Sequence, residues 1–155
     1  MNKTLKQRRQ TGFSLVEVLI TLVIMSVGML GIAGLYVQSM QAGRTSMFRH
    51  HAVTLAGDVA DRIRANPSAA LAYTAAVGTD NNCILGGIDC NPAQMAANDI
   101  LLWKAQALSS LPAGDVTIVF NNAVAPPTYQ ITISWNEAGQ VPAPTYVITI
   151  PVLDI

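Results

Sequence analysis

The sequence predicts an α+β fold: a long N-terminal helix, half suited to a bilayer and half amphipathic, packed on an antiparallel β-sheet, with a short second helix in the connecting region. Three observations predict it. Residues 18–37 form an unbroken run of twenty uncharged, mostly apolar residues. A helical period continues beyond that run and stops at "RANP". Three C-terminal segments, "DVTIVF", "TYQITISW" and "TYVITIPV", then alternate apolar and polar side chains, as half-buried strands do.

Charge is distributed as unevenly as hydropathy. The chain carries nine basic and nine acidic residues, but Lys3, Lys6, Arg8 and Arg9 all precede the apolar run. Residues 13–155 are left with five basic against nine acidic side chains, so they hold no basic patch for nucleic acid. A basic run directly before an apolar segment keeps the N-terminus cytoplasmic and sends everything after about residue 40 across the membrane. Cys83 and Cys90, the only two cysteines, fall in that exported part, where an oxidising compartment favours a disulfide between them.

Twenty helical residues extend about 30 Å, one crossing of the hydrocarbon core. A cleaved secretory signal has an apolar core of typically about 7–15 residues ending at a small-residue site. This run is longer, and its helical pattern goes on past it. A plain signal anchor accounts for length and orientation but leaves two features unexplained: the Gly12-Phe13 step, and Glu17, the one charge in residues 13–43. A carboxylate in hydrocarbon costs roughly 2.5–3.5 kcal/mol on insertion scales.

The run Gly12-Phe13-Ser14-Leu15-Val16-Glu17, behind its basic leader, resembles the type IV prepilin motif. The resemblance implies a type IV pilin fold and a division into a cleaved leader (residues 1–12), a transmembrane and filament-core helix (13–43) and an exported globular domain (44–155). It implies cutting after Gly12 by a membrane prepilin peptidase that is also an N-methyltransferase, leaving Phe13 as the methylated terminus. Glu17 then acquires a physical role. Cleavage creates a positive amine at Phe13, four residues before Glu17 and on the same helix face. Glu17 also lies near the positive end of its own helix dipole. In pilin-like filaments the acid meets the amine of a neighbouring subunit, so assembly pairs two charges that lipid penalises. Gly28, Gly31 and Gly34 follow at three-residue spacing. Small residues let membrane helices approach closely and weaken a helix outside lipid by roughly 1 kcal/mol each relative to Ala. Either this stretch loosens on assembly, or it is the ordinary glycine content of transmembrane helices.

Past the apolar run, Phe48, Ala52, Leu55, Val59 and Ile63 recur at steps of three or four, an amphipathic stripe meant for a core. Asp58 with Arg62 and Asp61 with Arg64 have ion-pair spacing and are expected on the opposite, solvent-facing surface. Pro67 stops the helix by disfavouring helical geometry at Asn66. A helix over residues 14–65 would be roughly 80 Å long. His50 and His51 are adjacent, so their rings diverge by about 100°. They lack the i,i+4 spacing of a helical metal pair and read as surface residues, as do Arg44 and Arg49.

The closing run "DRIRANP", the "VGMLG" core of the apolar segment and the block "CNPAQMAANDILLWKAQALSSLPAG" are similar to PilV-type minor pilins, the type IV pilus modification family. That family commonly has Met where this chain has Ile63.

Residues 68–89 read as a connecting loop with turn signals at "GTDNNC" and "GGIDC". Asp80, Asn81, Asn82 and Asp89 match no calcium-loop spacing and suit turn chemistry instead. Two thiols without further ligands do not make a metal site, and closing the loop between Cys83 and Cys90 would contribute about 2–3 kcal/mol. Asn91 then caps a helix with Pro92 at its first position and Gln94 at its third. Ala97, Leu101, Ala105, Leu108 and Leu111 give its expected buried stripe, with Trp103 near the edge in a packing role; Pro112 and Gly114 end it. The three strands that follow are joined by proline-containing loops too short for helical crossovers, which makes the sheet antiparallel.

No catalytic constellation, phosphate loop or cofactor motif appears, and Ser14 sits in the cleavage motif rather than on a nucleophile elbow. The sequence therefore describes a non-enzymatic protein that is itself a substrate. The PilV resemblance implies a minor pilin that joins other minor pilins and the major pilin, through inner-membrane assembly machinery, in a complex initiating pilus assembly and supporting adhesion and twitching motility. Before assembly it would be a single-pass inner-membrane protein with a periplasmic domain; afterwards, part of a surface pilus. Retention of Glu17 implies a subunit that is not terminal. A minor pseudopilin of a type II secretion system shares the motif and helix, and a tip adhesin subunit with its own ligand is a third reading.

Overall fold

The computed structural model of the chain describes residues 12–84 and 89–152. Lys3, Lys6, Arg8, Arg9 and the Gly86-Gly87 turn signal lie outside the described residues. The chain divides into two units between Gly43 and Arg44, while helix α1 is assigned over Leu15–Ala65.

In the first unit every described residue is exposed, in a helix long and apolar enough to cross a membrane. The hydroxyls of Thr21 and Ser26 turn back onto its own backbone. The Thr21 hydroxyl donates to the Glu17 and Val18 carbonyls at 3.0 and 2.8 Å, and Ser26 donates to the Leu22 carbonyl at 2.7 Å. Such internal satisfaction is what a lipid environment demands of hydroxyl groups.

In the second unit α1 buries Ala52, Leu55, Ala56, Val59, Ala60 and Ile63. This is the apolar stripe read from the sequence, widened by Ala56 and Ala60, with Phe48 half-buried at its margin. The connector is more ordered than a loop reading allows. Pro67–Thr74 forms a 3₁₀ segment broken by Ala70, whose φ of 45° and ψ of −124° interrupt the helix. The Tyr129 hydroxyl donates to the Ala70 carbonyl at 2.8 Å and holds this kink against the sheet. Further on, Gly78 presses on the second helix: a Cβ there would lie 2.1 Å from the Leu101 backbone nitrogen and 2.6 Å from the Ala97 carbonyl oxygen. Cys83 and Cys90 are disulfide-bonded, with Cα atoms 5.7 Å apart.

Helix α2 spans Pro92–Ser110 and starts at the capping box expected from the sequence. Asn91 Oδ1 accepts from the Gln94 backbone N–H at 2.9 Å, and Gln94 Oε1 accepts from the Asn91 N–H at 3.0 Å. Its buried face corrects the expected stripe. Ala96, Ile100, Trp103 and Ala107 are buried, and Leu111 is buried as expected, whereas Leu101 and Leu108 are exposed. The true face is displaced by one residue, about 100° around the helix. Both sets satisfy helical spacing, and the choice falls to the face carrying Trp103, the largest apolar surface available to remove from water. Trp103 is thus central to the core, not at its edge.

Strands β1 (Asp115–Asn121), β2 (Thr128–Ser134) and β3 (Thr145–Pro151) form an antiparallel meander in the order β1-β2-β3. Ile118 faces Ile131, which faces Ile148, and Tyr129 lies between Phe120 and Ile150. These partners share one face of the pleat, and that face joins the α1 and α2 stripes in a single core.

The backbone at Ala70 and the close approach at Gly78 make opposite predictions. Ala70→Gly relieves a side chain held at positive φ and should raise the unfolding free energy by about 1 kcal/mol. Gly78→Ala should lower it by about 2 kcal/mol through overpacking against helix backbone. Denaturant melts of the detergent-solubilised full chain measure both.

Candidate processing and assembly site

Gly12, Phe13 and Ser14 lie in irregular backbone ahead of α1, and the helix begins by folding onto Ser14. The Ser14 carbonyl accepts the Glu17 and Val18 N–H groups at 3.0 and 3.2 Å. Glu17 therefore occupies the first helical turn, where unpaired N–H groups and the dipole favour negative charge. Phe13 is exposed. The Glu17 carboxylate is also exposed, and no side chain among the described residues pairs with it.

A Cβ built on Gly12 meets no atom within 4 Å, and the same holds for Gly28, Gly31 and Gly34. None of the four has the positive φ that favours glycine. Among the described residues nothing requires glycine at these positions, in contrast to Gly78, which its own α2 demands.

The domain behind this site is organised by a polar junction between α1, the connector and α2. The Trp103 Nε1–H donates to Asp58 Oδ2 at 3.0 Å, and the Tyr73 ring stacks on Trp103 at 5.8 Å between centroids. Arg62 reaches Asp58 at 3.3 Å and Asp99 at 2.9 Å, and the Tyr73 hydroxyl donates to Asp99 Oδ2 at 3.3 Å. Asn66, the first residue past α1, donates to the Tyr73 hydroxyl at 3.2 Å and to the Pro92 carbonyl at 3.0 Å. The Asp58–Arg62 pair reaches α2 while its side chains stay 43% and 46% exposed on the surface that its spacing implied. Asp61–Arg64, at 3.1 Å, also sits on the exposed surface. Burial opposes the Arg62 charge, but the Asp58 and Asp99 carboxylates outweigh it and hold its pKa above the ordinary value. Burial is also the main reason that the Tyr73 hydroxyl is pushed up to about 12. The hydrogen bond from Asn66 opposes that rise and the Asp99 carboxylate reinforces it. Burial likewise raises Tyr129.

Tyr73 and Asp99 were not singled out by sequence reasoning. Their partners come from other elements, and the only local hint was an acid on an otherwise apolar helix face. Among the described residues, no group of three His, Cys, Asp or Glu side chains is placed to hold a metal. His50 and His51 stand with ring centroids 6.3 Å apart.

Residues 34–101 match the family model described as Type IV pilin Tt1218, and residues 7–33 match the model of the prokaryotic N-terminal methylation motif. No curated protein and no solved structure matches the chain. The long N-terminal helix, short connecting helices and three-stranded antiparallel sheet are those of the type IV pilin α+β fold.

The junction separates a structural pair from a decorative one. Asp99→Ala removes the acceptor of the Tyr73 hydroxyl and one of the two carboxylates on the partly exposed Arg62 and should cost about 1–2 kcal/mol, while Asp61→Ala should cost under about 0.5 kcal/mol; urea melts compare them. Folding favours the neutral Tyr73 hydroxyl, so its stabilisation is whole below the ordinary pKa of 10 and is lost as pH rises through about 12. Melts at about pH 8 and about pH 11 should therefore show a larger loss of stability in the parent than in Tyr73→Phe.

Proposed function

We propose that the chain is a minor pilin of a type IV pilus, of the PilV kind. A prepilin peptidase cuts it after Gly12, its new terminus at Phe13 is methylated, and it joins other minor pilins in the complex that initiates pilus assembly. Before assembly its apolar helix is anchored in the inner membrane with the N-terminus cytoplasmic and residues 44–155 periplasmic. The observation that carries the reading is Glu17: one exposed acid in the first turn of an otherwise uncharged membrane helix, four residues past the glycine-phenylalanine step of a matched methylation motif. Lipid penalises that charge, and the amine released at Phe13 of an adjacent subunit relieves it. The glycines of the same stretch fit this account, because their open Cβ positions leave room for neighbouring helices. Glu17 further implies a subunit with a neighbour on the side its acid faces, not the terminal one.

Mass spectrometry of sheared surface filaments tests the reading directly. The expected chain starts at methylated Phe13, has Cys83 bonded to Cys90 and travels with other pilins. A chain that keeps Met1 and stays in the inner membrane overturns it. Glu17→Ala should be processed normally yet lose incorporation by about a hundredfold, the equivalent of the roughly 2.5–3.5 kcal/mol that an unmatched charge costs in lipid. Quantitative immunoblots of filament and membrane fractions measure that ratio.

A further inference from the structure

We propose that the outward face of α2, together with the hollow beside it, docks a segment of a neighbouring pilin subunit that presents an apolar side chain next to a lysine or arginine. The inference rests on the pilin reading above and names the surface, and the chemistry, by which the folded domain takes a partner. All of its residues belong to the unit that begins at Arg44.

The surface is the apolar stripe that the core does not take. Ala97, Leu101, Ala105 and Leu108 recur at helical spacing, yet α2 buries the face that carries Trp103. Leu101 and Leu108 are 37% and 64% exposed, and Ala105 between them is exposed as well. The connector enlarges this surface. Gly78 lies against the Leu101 backbone, and Val77, the residue before it, is exposed. Clustered apolar side chains in water give an isolated domain no stability and invite association. Anchors at i, i+4 and i+7 on one helix are the pattern by which a helix face is recognised.

Beside the stripe lies a hollow of about 290 Å³, lined by Asp80, Asn82, Ile84, Asn98, Leu101 and Leu102. Asn98 is 4% exposed. Its Oδ1 accepts the Asn81 N–H at 3.3 Å, while its Nδ2 has no partner among the described residues and is left as a donor toward the hollow. Buried amide donors are satisfied in native structures, by protein or by what binds there. Asp80 Oδ1 accepts the Asn82 N–H at 2.9 Å, and no lysine or arginine among the described residues pairs with its charge.

These groups specify the occupant. An apolar side chain fits against Ile84, Leu101 and Leu102, a backbone carbonyl accepts from Asn98, and an ammonium or guanidinium answers Asp80. Charge complementarity points to another chain as the source of that cation. Residues 44–155 hold five basic against eight acidic side chains, and Arg62, Arg64 and Lys104 are engaged by acids of their own domain. A contact of this size falls short of the roughly 800 Å² per partner of a standard stable interface, so it suits subunits that assembly already holds together.

The test is made in cells that assemble the full chain into pili. A photoreactive benzophenone amino acid replaces Leu101, Leu108 or, as a control on the β1–β2 turn, Val124, and sheared filaments are analysed by mass spectrometry after irradiation. Expected are cross-links from Leu101 and Leu108 about fivefold or more above those from Val124, to one segment of another pilin that holds an apolar residue next to a lysine or arginine. Asp80→Asn keeps the acceptor for the Asn82 N–H and removes the charge; it should lower the Leu108 cross-link about threefold. Asp80→Lys, which sets like charges together, should lower it about tenfold or more. Cross-links no stronger than those from Val124, or unchanged by both Asp80 variants, overturn the docking site; a filament chain that starts at methylated Phe13 then leaves the pilin reading standing. A chain absent from filaments and still beginning at Met1 removes that reading and the proposal with it. Cross-links to a second copy of the chain, or to a segment without a basic residue, also overturn the proposal.

Discussion

The folded domain that begins at Arg44 is arranged around how the buried indole of Trp103 gives its N–H to an acceptor. Trp103 is 1% exposed, and an unmet N–H at that depth would cost about 1–3 kcal/mol. The acceptor is Asp58 on α1, a carboxylate that cannot be left near the core uncompensated. Arg62, one turn along, compensates it and reaches across to Asp99 on α2. Asp99 in turn receives the hydroxyl of Tyr73, whose ring stacks on Trp103. Each member answers a need created by another, and together they bind α1, the 3₁₀ segment and α2.

This arrangement explains why the connector is folded and not slack. Asn66 joins the end of α1 to Tyr73 and to the start of α2. Tyr129 reaches from β2 to the kink at Ala70, and Gly78 lets the chain pass against α2 backbone. The disulfide between Cys83 and Cys90 then closes the stretch leading into the α2 cap. The sheet lies over this assembly with Ile131 and Ile133 fully buried.

The first unit obeys a different physics. There every described residue is exposed, the Thr21 and Ser26 hydroxyls bond their own helix, and a Cβ on any of its glycines would meet no described atom within 4 Å. An isolated globular domain gains nothing from such a segment. Its length and apolarity are those of a helix that can cross a membrane, and the methylation-motif model matches its first part, whereas the polar junction bears on stability.

What the sequence determined by itself is what depends on neighbours along the chain. Continuous apolarity set the membrane helix, the Asn91 and Gln94 pair set the start of α2, and two-residue alternation set all three strands and, with their short links, their antiparallel pairing. The methylation motif was legible for the same reason: it is a linear signal, and the matching family model covers residues 7–33. What only the tertiary structure decided is what depends on elements distant in sequence. α2 offered two apolar faces of equal period, and the Ala96, Ile100, Trp103 and Ala107 face was buried because it brought Trp103 to Asp58 and Asp99 to Arg62. The Asp58–Arg62 pair acquired its contacts with α2 for that same reason, and the positive φ of Ala70 accompanies the bond from the Tyr129 hydroxyl to its carbonyl. Local spacing fixes which residues share a face; only packing, by placing a partner opposite, decides which face is inside.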